Sequence, residues 1–128
     1  MSQTVVPHRW QDIPAENVSP SVSRRYITAD RVTVAQFHLK RGGVVPRHSH
    51  EQEQITCVMS GALEFVINGL QVVVSSGEVA QIPSWVEHEV RVLEDTVVID
   101  VFSPVRQDWI DKTDDYFRAR TSETTGPA

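Results

Sequence analysis

The chain has 128 residues, of which 40% are apolar and 23% charged; that is the length of one ordinary domain with one hydrophobic core, and it excludes most multi-domain enzymes. A domain this small buries only about two-thirds of the surface its unfolded chain exposes, so association into a homodimer is expected. Twelve Lys and Arg against 17 Asp and Glu give a formal charge of −5, and with no dense basic run to follow a phosphate backbone, nucleic acid is not an expected partner.

Residues 1–30 read as an N-terminal arm followed by a first strand. Pro7, Pro14 and Pro20 interrupt any period over the first 20 or so residues, so this stretch is expected to be irregular, with Trp10 and Ile13 as anchors on the domain or on a partner subunit. The opening MSQTVVPHRW lacks the charged-then-apolar order of a signal segment, and no stretch reaches the roughly 20 apolar residues of a membrane span. The expectation is a soluble, cytoplasmic protein with no membrane partner.

Residues 31–106 read as a β-barrel. Val, Ile, Phe and Thr recur in short runs punctuated by Gly42-Gly43, Asn68-Gly69, Ser75-Ser76-Gly77 and Pro83, and strands are expected near 31–40, 44–50, 53–60, 78–83, 86–93 and 96–103. The clearest element is a hairpin over Ala62 to Ser75: Leu63, Phe65 and Ile67 alternate with Glu64 and Val66, Asn-Gly offers the positive φ of a type I′ turn, and Gln71 to Val74 returns. Many short strands with connections of a few residues form a closed or double-sheet barrel, which removes exposed edges. Cys57, the single cysteine, allows no internal disulfide and is expected to pack as a small apolar residue. In 107–128 a short helix is expected between Gln107 and Arg120, with a solvated charged face over Asp111 to Arg120 and a disordered TSETTGPA end.

Of five histidines, His48 and His50 carry the most information. On a strand, residues two apart share a face with alpha carbons about 6.6 Å apart, so both imidazoles can lean onto one metal at roughly 2.1 Å. Gln54 has the same parity if the chain stays extended or turns tightly, and His88 lies where an antiparallel sheet can bring it back beside the pair. The plain alternative is a polar surface stretch, RHSHEQEQ. His38 and His8 read as structural or peripheral, and Glu51 and Glu53 as solvated, although Glu53 could orient a ligand.

Two longer segments frame these residues. The first runs Gly42, five residues, His48-x-His50, three residues, Gln54, six residues, Gly61; the second runs Gly77, five residues, Pro83, four residues, His88. They resemble the paired motifs of the cupin superfamily over about Arg31 to Val105. The resemblance implies an all-β, double-stranded β-helix jelly roll with one divalent metal in the barrel mouth, held by His48, His50, Gln54 and His88. Gln54 stands where glutamate is usual, Trp85 where the second motif has glycine, and Val92 where it ends on asparagine. Three neutral imidazoles and a neutral amide would leave a dication its full charge, which strengthens it as a Lewis acid and favours an anionic substrate. Mixed N and O donors leave Zn, Ni, Mn and Fe(II) open, with Cu less favoured.

In the last strand Asp100 interrupts an apolar run and shares a face with Val98 and Phe102. A carboxyl pointing into an apolar barrel has its pKa raised by desolvation, as a general acid or base near neutrality requires; an outward-facing aspartate is the alternative. The run DVFSPVRQDW resembles the end of the small single-domain cupins of pectin degradation, which linearise unsaturated uronates with a His-His-Gln-His metal set. That likeness implies Asp100 as proton shuttle, Phe102 as an apolar wall and Arg106 as a fork for a substrate carboxylate; an ordinary surface arginine is the alternative for Arg106. Trp85 and Trp109 rim the pocket or a dimer interface, with Trp85 taken as substrate-binding. The leading reading is a metal-dependent lyase or isomerase-type enzyme that opens or tautomerises an anionic sugar acid or keto/enol compound. The alternatives are an Fe or Mn dioxygenase cleaving a diketone or flavonol, a zinc cupin that cyclises polyketides, and a non-catalytic ligand-binding barrel.

Overall fold

The computed structural model describes residues 5–114. In chain order the strands are β1 (Glu16–Ser19), β2 (Val22–Thr28), β3 (Thr33–Leu39), β4 (Val44–His48), β5 (Glu53–Ser60), β6 (Ala62–Ile67), β7 (Leu70–Ser75), β8 (Val79–Ile82), β9 (His88–Val92) and β10 (Thr96–Ser103), followed by a one-turn helix α1 (Gln107–Ile110). Alternation assigns their faces: in β10 Thr96, Val98, Asp100 and Phe102 are buried and the residues between them less so, as the period of two requires. The strands form a six-stranded sheet, β1-β2-β3-β10-β5-β8, against a four-stranded sheet, β4-β9-β6-β7. Every pairing is antiparallel, and the core between them includes Phe37, Leu39, Leu63, Phe65, Ile82, Val98, Phe102 and Trp109. This is the jelly roll. Among the described residues no helix is long and apolar enough to cross a membrane.

The β6–β7 hairpin forms as its turn chemistry dictates, with Asn68 at φ 53° and Gly69 at φ 77° and Ile67 opposite Leu70. The returning strand is one residue longer at each end than the 71–74 read from the sequence. The amino-terminal stretch departs further from expectation. A single 3-10 turn occupies Trp10–Asp12, and β1 then pairs with β2, with Asn17 opposite Ser23. The prolines that argued for an irregular arm bracket a four-residue edge strand, a place where proline's missing N–H does no harm, and Val18 anchors it in the core. The sheet therefore begins at Glu16, and two strands, β1 and β2, occupy the stretch before residue 31 where one was expected. Only Gln107–Ile110 of the expected carboxy-terminal helix is helical among the described residues; the TSETTGPA end lies outside them.

Gly61 links β5 to β6 at φ +92°, and a Cβ there would collide with the Thr96 side chain and the Asp95 carbonyl. At Gly69 the φ is also positive but the space is open. Gly61→Ala is therefore expected to cost about 1–3 kcal/mol, read as a Tm drop of roughly 4 °C per kcal/mol, whereas Gly69→Ala should cost clearly less. Equal Tm values for the two variants in a thermal melt would refute the steric reading.

Candidate metal centre

β4 brings the first imidazole inward through a defect. Val44 stands opposite Arg91 and Val45 opposite Val90, but the next pair is His48 with His88, so β4 carries one residue more than β9 between these points. Regular alternation from the buried Val45 would turn Arg47 inward and His48 out. The extra residue falls at Pro46, which has no N–H to contribute to a ladder, and the result is Val45 and Pro46 buried in succession, Arg47 exposed and His48 turned to the inside. The expectation of two histidines on one strand needs correction here: His48 ends β4, and His50 lies beyond it in the connection to β5. Both still reach the same place. The ring centroids of His48 and His88 are 4.3 Å apart, of His48 and His50 5.4 Å, and of His50 and His88 5.2 Å, and their ligand atoms lie within 4.8 Å of one another.

Each imidazole is oriented by its own backbone. Nδ1 of His48 meets the Pro46 carbonyl at 2.7 Å, Nδ1 of His88 the Val86 carbonyl at 2.9 Å, and Nδ1 of His50 the Gln52 carbonyl at 3.1 Å. A carbonyl only accepts, so Nδ1 carries the proton in each ring and Nε2 presents a lone pair. Burial holds all three in the neutral form. The pKa of His48 falls to about 3, mainly through desolvation and then through the charge of His88; that of His50 falls to about 4, through desolvation and then Arg106; His88 shifts in the same direction.

Gln54, at the start of β5, completes the set. Its Nε2 donates to Thr56 Oγ1 at 2.9 Å, which directs Oε1 to within 3.1 Å of His50 Nε2. Both of these atoms carry lone pairs and no hydrogen. Such an approach is repulsive in an empty pocket and favourable when a cation lies against both atoms, as neighbouring donors of one divalent ion do. The three imidazoles therefore fit a single divalent ion, with Gln54 Oε1 placed as a fourth donor beside them, and these donors do not select among Zn, Ni, Mn and Fe.

Beside these donors is a cavity of about 50 Å³, walled in part by His48, Gln54, His88, Asp100, Phe102 and Trp109. Asp100 is buried between Ala35 of β3 and Thr56 of β5, and its Oδ1 has no hydrogen-bond partner among the described residues. Desolvation pushes its pKa up to about 7, against the opposing pull of Thr56, Arg106 and Gln54. Phe102 sets its ring edge-on to His50, 5.7 Å away.

Arg106 is 1% exposed, its guanidinium carbon 4.7 Å from the Phe102 ring centroid and 4.4 Å from that of Trp109. The expected free fork is already engaged on one edge: Nε and Nη2 donate to Asp108 at 2.9 and 2.7 Å. Burial works to raise the Asp108 carboxyl, but the hydrogen bond and charge of Arg106 outweigh it and hold the pKa below its usual range. Arg106 therefore acts first as a fixed positive wall.

Trp109 is buried in the cavity wall, whereas Trp85 is 66% exposed and lies outside that wall. Sequence reasoning missed Arg24, which is fully buried, stacked 4.1 Å from the Trp109 centroid, and bonded to Glu16 at 2.8 Å and Asp114 at 2.9 Å. Its parity with Val22 was the available signal. Cys57 is a half-buried free thiol, as expected.

The fold and site together define a small jelly-roll barrel with a three-imidazole cluster compatible with one metal ion. Residues 35–102, more than half of the chain, match the Cupin domain family, and the chain belongs to that family. It is 30% identical over 102 residues to the pectin degradation protein KdgF of Dickeya dadantii, an alignment spanning 77% of this chain and 93% of that protein. The solved structure of KdgF from Halomonas sp. superposes with a TM-score of 0.72 at 30% identity, covering 77% of this chain and 94% of the other. An RmlC-like cupin from Shewanella frigidimarina shares the fold at 21% identity, with a TM-score of 0.76 over 85% of this chain and 99% of its own.

The pKa directions fix how the metal-free protein responds to acid. A histidine whose folded pKa lies below its unfolded value contributes stability that is present above about 6.5 and is lost as pH falls towards the folded value. Asp100, with its pKa raised, acts in the opposite sense, its contribution present below about 4 and lost as pH rises through about 7. Three imidazoles outweigh one carboxyl, so the Tm of metal-free protein is expected to fall by several degrees between pH 7 and pH 4.5. A calorimetric Tm that is flat or rises over that interval would contradict the burial of neutral imidazoles.

Proposed function

We propose that the protein is a metal-dependent enzyme of lyase or isomerase type that opens the ring of a small anionic sugar acid, such as an unsaturated uronate, and completes the change by tautomerisation. The observation that carries this reading is the placement of the buried Asp100 carboxyl, its Oδ1 without a hydrogen-bond partner among the described residues, against a neutral donor set in a cavity that the cationic Arg106 also lines. The 30% identity to a protein of pectin degradation supports the substrate class.

His48, His50, Gln54 and His88 would hold the ion. Once bound, it supplies Lewis acidity, polarising an oxygen of the substrate. The remaining work falls to the chain's own side chains. Asp100, with a pKa near 7, can accept a proton from a ring hydroxyl as the ring opens and return it to carbon as the enol becomes a keto group, so atoms balance without an oxidant. Phe102 forms an apolar wall that keeps water from the Asp100 carboxyl, which sustains the raised pKa. Arg106, immobilised by Asp108 and by two aromatic rings, supplies positive potential for a substrate carboxylate without paying rotamer entropy when it binds.

Asp100→Asn removes the proton carrier while keeping the shape. Turnover of unsaturated uronate should fall by about 100-fold or more, with metal content and ligand affinity nearly unchanged, when measured with oxygen excluded. Full activity in the asparagine variant would remove Asp100 from the chemistry, and turnover that requires dioxygen would favour an oxygenase instead.

A further inference from the structure

Trp85 holds a conformation that costs it stability and a position that hides little of it. It stands where the second motif has glycine, and its φ is +64°, in the left-handed region that bulky side chains rarely occupy. No burial compensates, for the residue is 66% exposed. Two hydrogen bonds nevertheless fix its backbone to the metal-bearing loop: Trp85 N–H donates to the His50 carbonyl at 2.8 Å, and Ser84 Oγ–H donates to the Glu51 carbonyl at 2.6 Å. An exposed indole is thus carried by a residue whose backbone is bonded to that of His50, a residue of the candidate metal centre.

The cavity itself argues that something must bind there. Its volume is about 50 Å³, room for a water or two, whereas ordinary small-molecule sites are about 300 Å³ or larger. A ring-sized ligand that reaches the donors must keep most of its body outside the barrel, over the rim. Trp85 is a large exposed apolar side chain whose backbone is tethered to the His50 carbonyl, and an exposed indole face is suited to the flat C–H face of a sugar ring or to an aromatic ring.

From this juxtaposition we infer that Trp85 is the stacking platform of a binding subsite outside the barrel, which takes the ring face of a cyclic carboxylic acid whose polar end points into the donor set. The inference deepens the uronate reading and rests on it for the sugar class only. Trp85 binds and orients; it takes no part in proton transfer.

The test uses the full-length, metal-loaded protein, with D-galacturonate and 4-hydroxybenzoate as probes and the indole N–H resonance of Trp85, identified by its loss in W85G, as readout. We expect galacturonate to move that resonance, W85G to weaken galacturonate binding about fivefold or more, and W85F to restore it to within about twofold. W85G should melt no lower than the parent protein, because glycine relieves the backbone. A shift with 4-hydroxybenzoate alone upholds the platform and overturns the sugar-acid reading. If neither probe moves the resonance, or if W85G binds both as tightly as the parent, the platform is overturned whatever the enzyme turns over. A W85G variant that sediments at half the parent's mass would place Trp85 in a subunit interface and overturn it equally. Should W85G fail to fold, the resonance shift in the parent and the affinity of W85F decide the question.

Discussion

The arrangement depends on one constraint: three neutral imidazoles and a neutral amide must converge inside an apolar barrel end. Each imidazole meets it in the same manner, by tying Nδ1 to a carbonyl two residues away along its own chain. That local tether fixes ring orientation and tautomer together. It also limits where the histidines can sit, since His48 needs the carbonyl of Pro46 and hence the bulge that Pro46 creates. The contact between Gln54 Oε1 and His50 Nε2 shows the same constraint from another side, because the tautomer with Nδ1 protonated leaves no hydrogen on either atom.

Charge is then distributed around this neutral centre so that it stays neutral. Arg106 lies close enough to lower the pKa of each histidine, yet it is neutralised on its far side by Asp108 and so does not repel a dication as a bare guanidinium would. Trp109 sits between the two buried arginines: Arg24 approaches its ring at 4.1 Å and Arg106 at 4.4 Å. Through Arg24 the indole is linked to Glu16 on β1 and to Asp114 beyond the helix, so the amino-terminal hairpin and the carboxy-terminal turn close the barrel together and hold the cationic wall in place. Breaking a buried pair such as Arg24–Asp114 would leave an uncompensated charge in this region, which gives residues far from the donors a hold on the geometry of the site.

The parts of this arrangement that obey short-range rules were legible in the sequence. Asn68-Gly69 dictates a type I′ turn, and the alternation through Val98, Asp100 and Phe102 dictates which side of β10 faces the core. The convergence of His48, His50, Gln54 and His88 was also legible, although the simplest account of it, two histidines on one strand, was not how the chain achieves it. A bulge is invisible to parity counting until the partner strand is known. Pairings across the length of the chain were hidden for a related reason: Arg24 and Asp114 are 90 residues apart, and no periodicity connects them. The edge strand Glu16–Ser19 was masked by prolines that an edge tolerates and a centre does not. The engagement of Arg106 by Asp108 was two residues away in sequence, but it depends on the single turn of α1, which the pattern placed without defining.

The claim on which the account rests is that one divalent ion is shared by four neutral side chains, and anomalous scattering from crystals of protein purified without added metal tests it most directly. The account predicts one peak per chain, at roughly 2.0–2.3 Å from Nε2 of His48, His50 and His88 and from Oε1 of Gln54. Crystals equilibrated with Zn, Ni, Mn and Fe(II) in turn that show no peak at that point, or a peak that leaves Gln54 turned away towards Thr56, would contradict it.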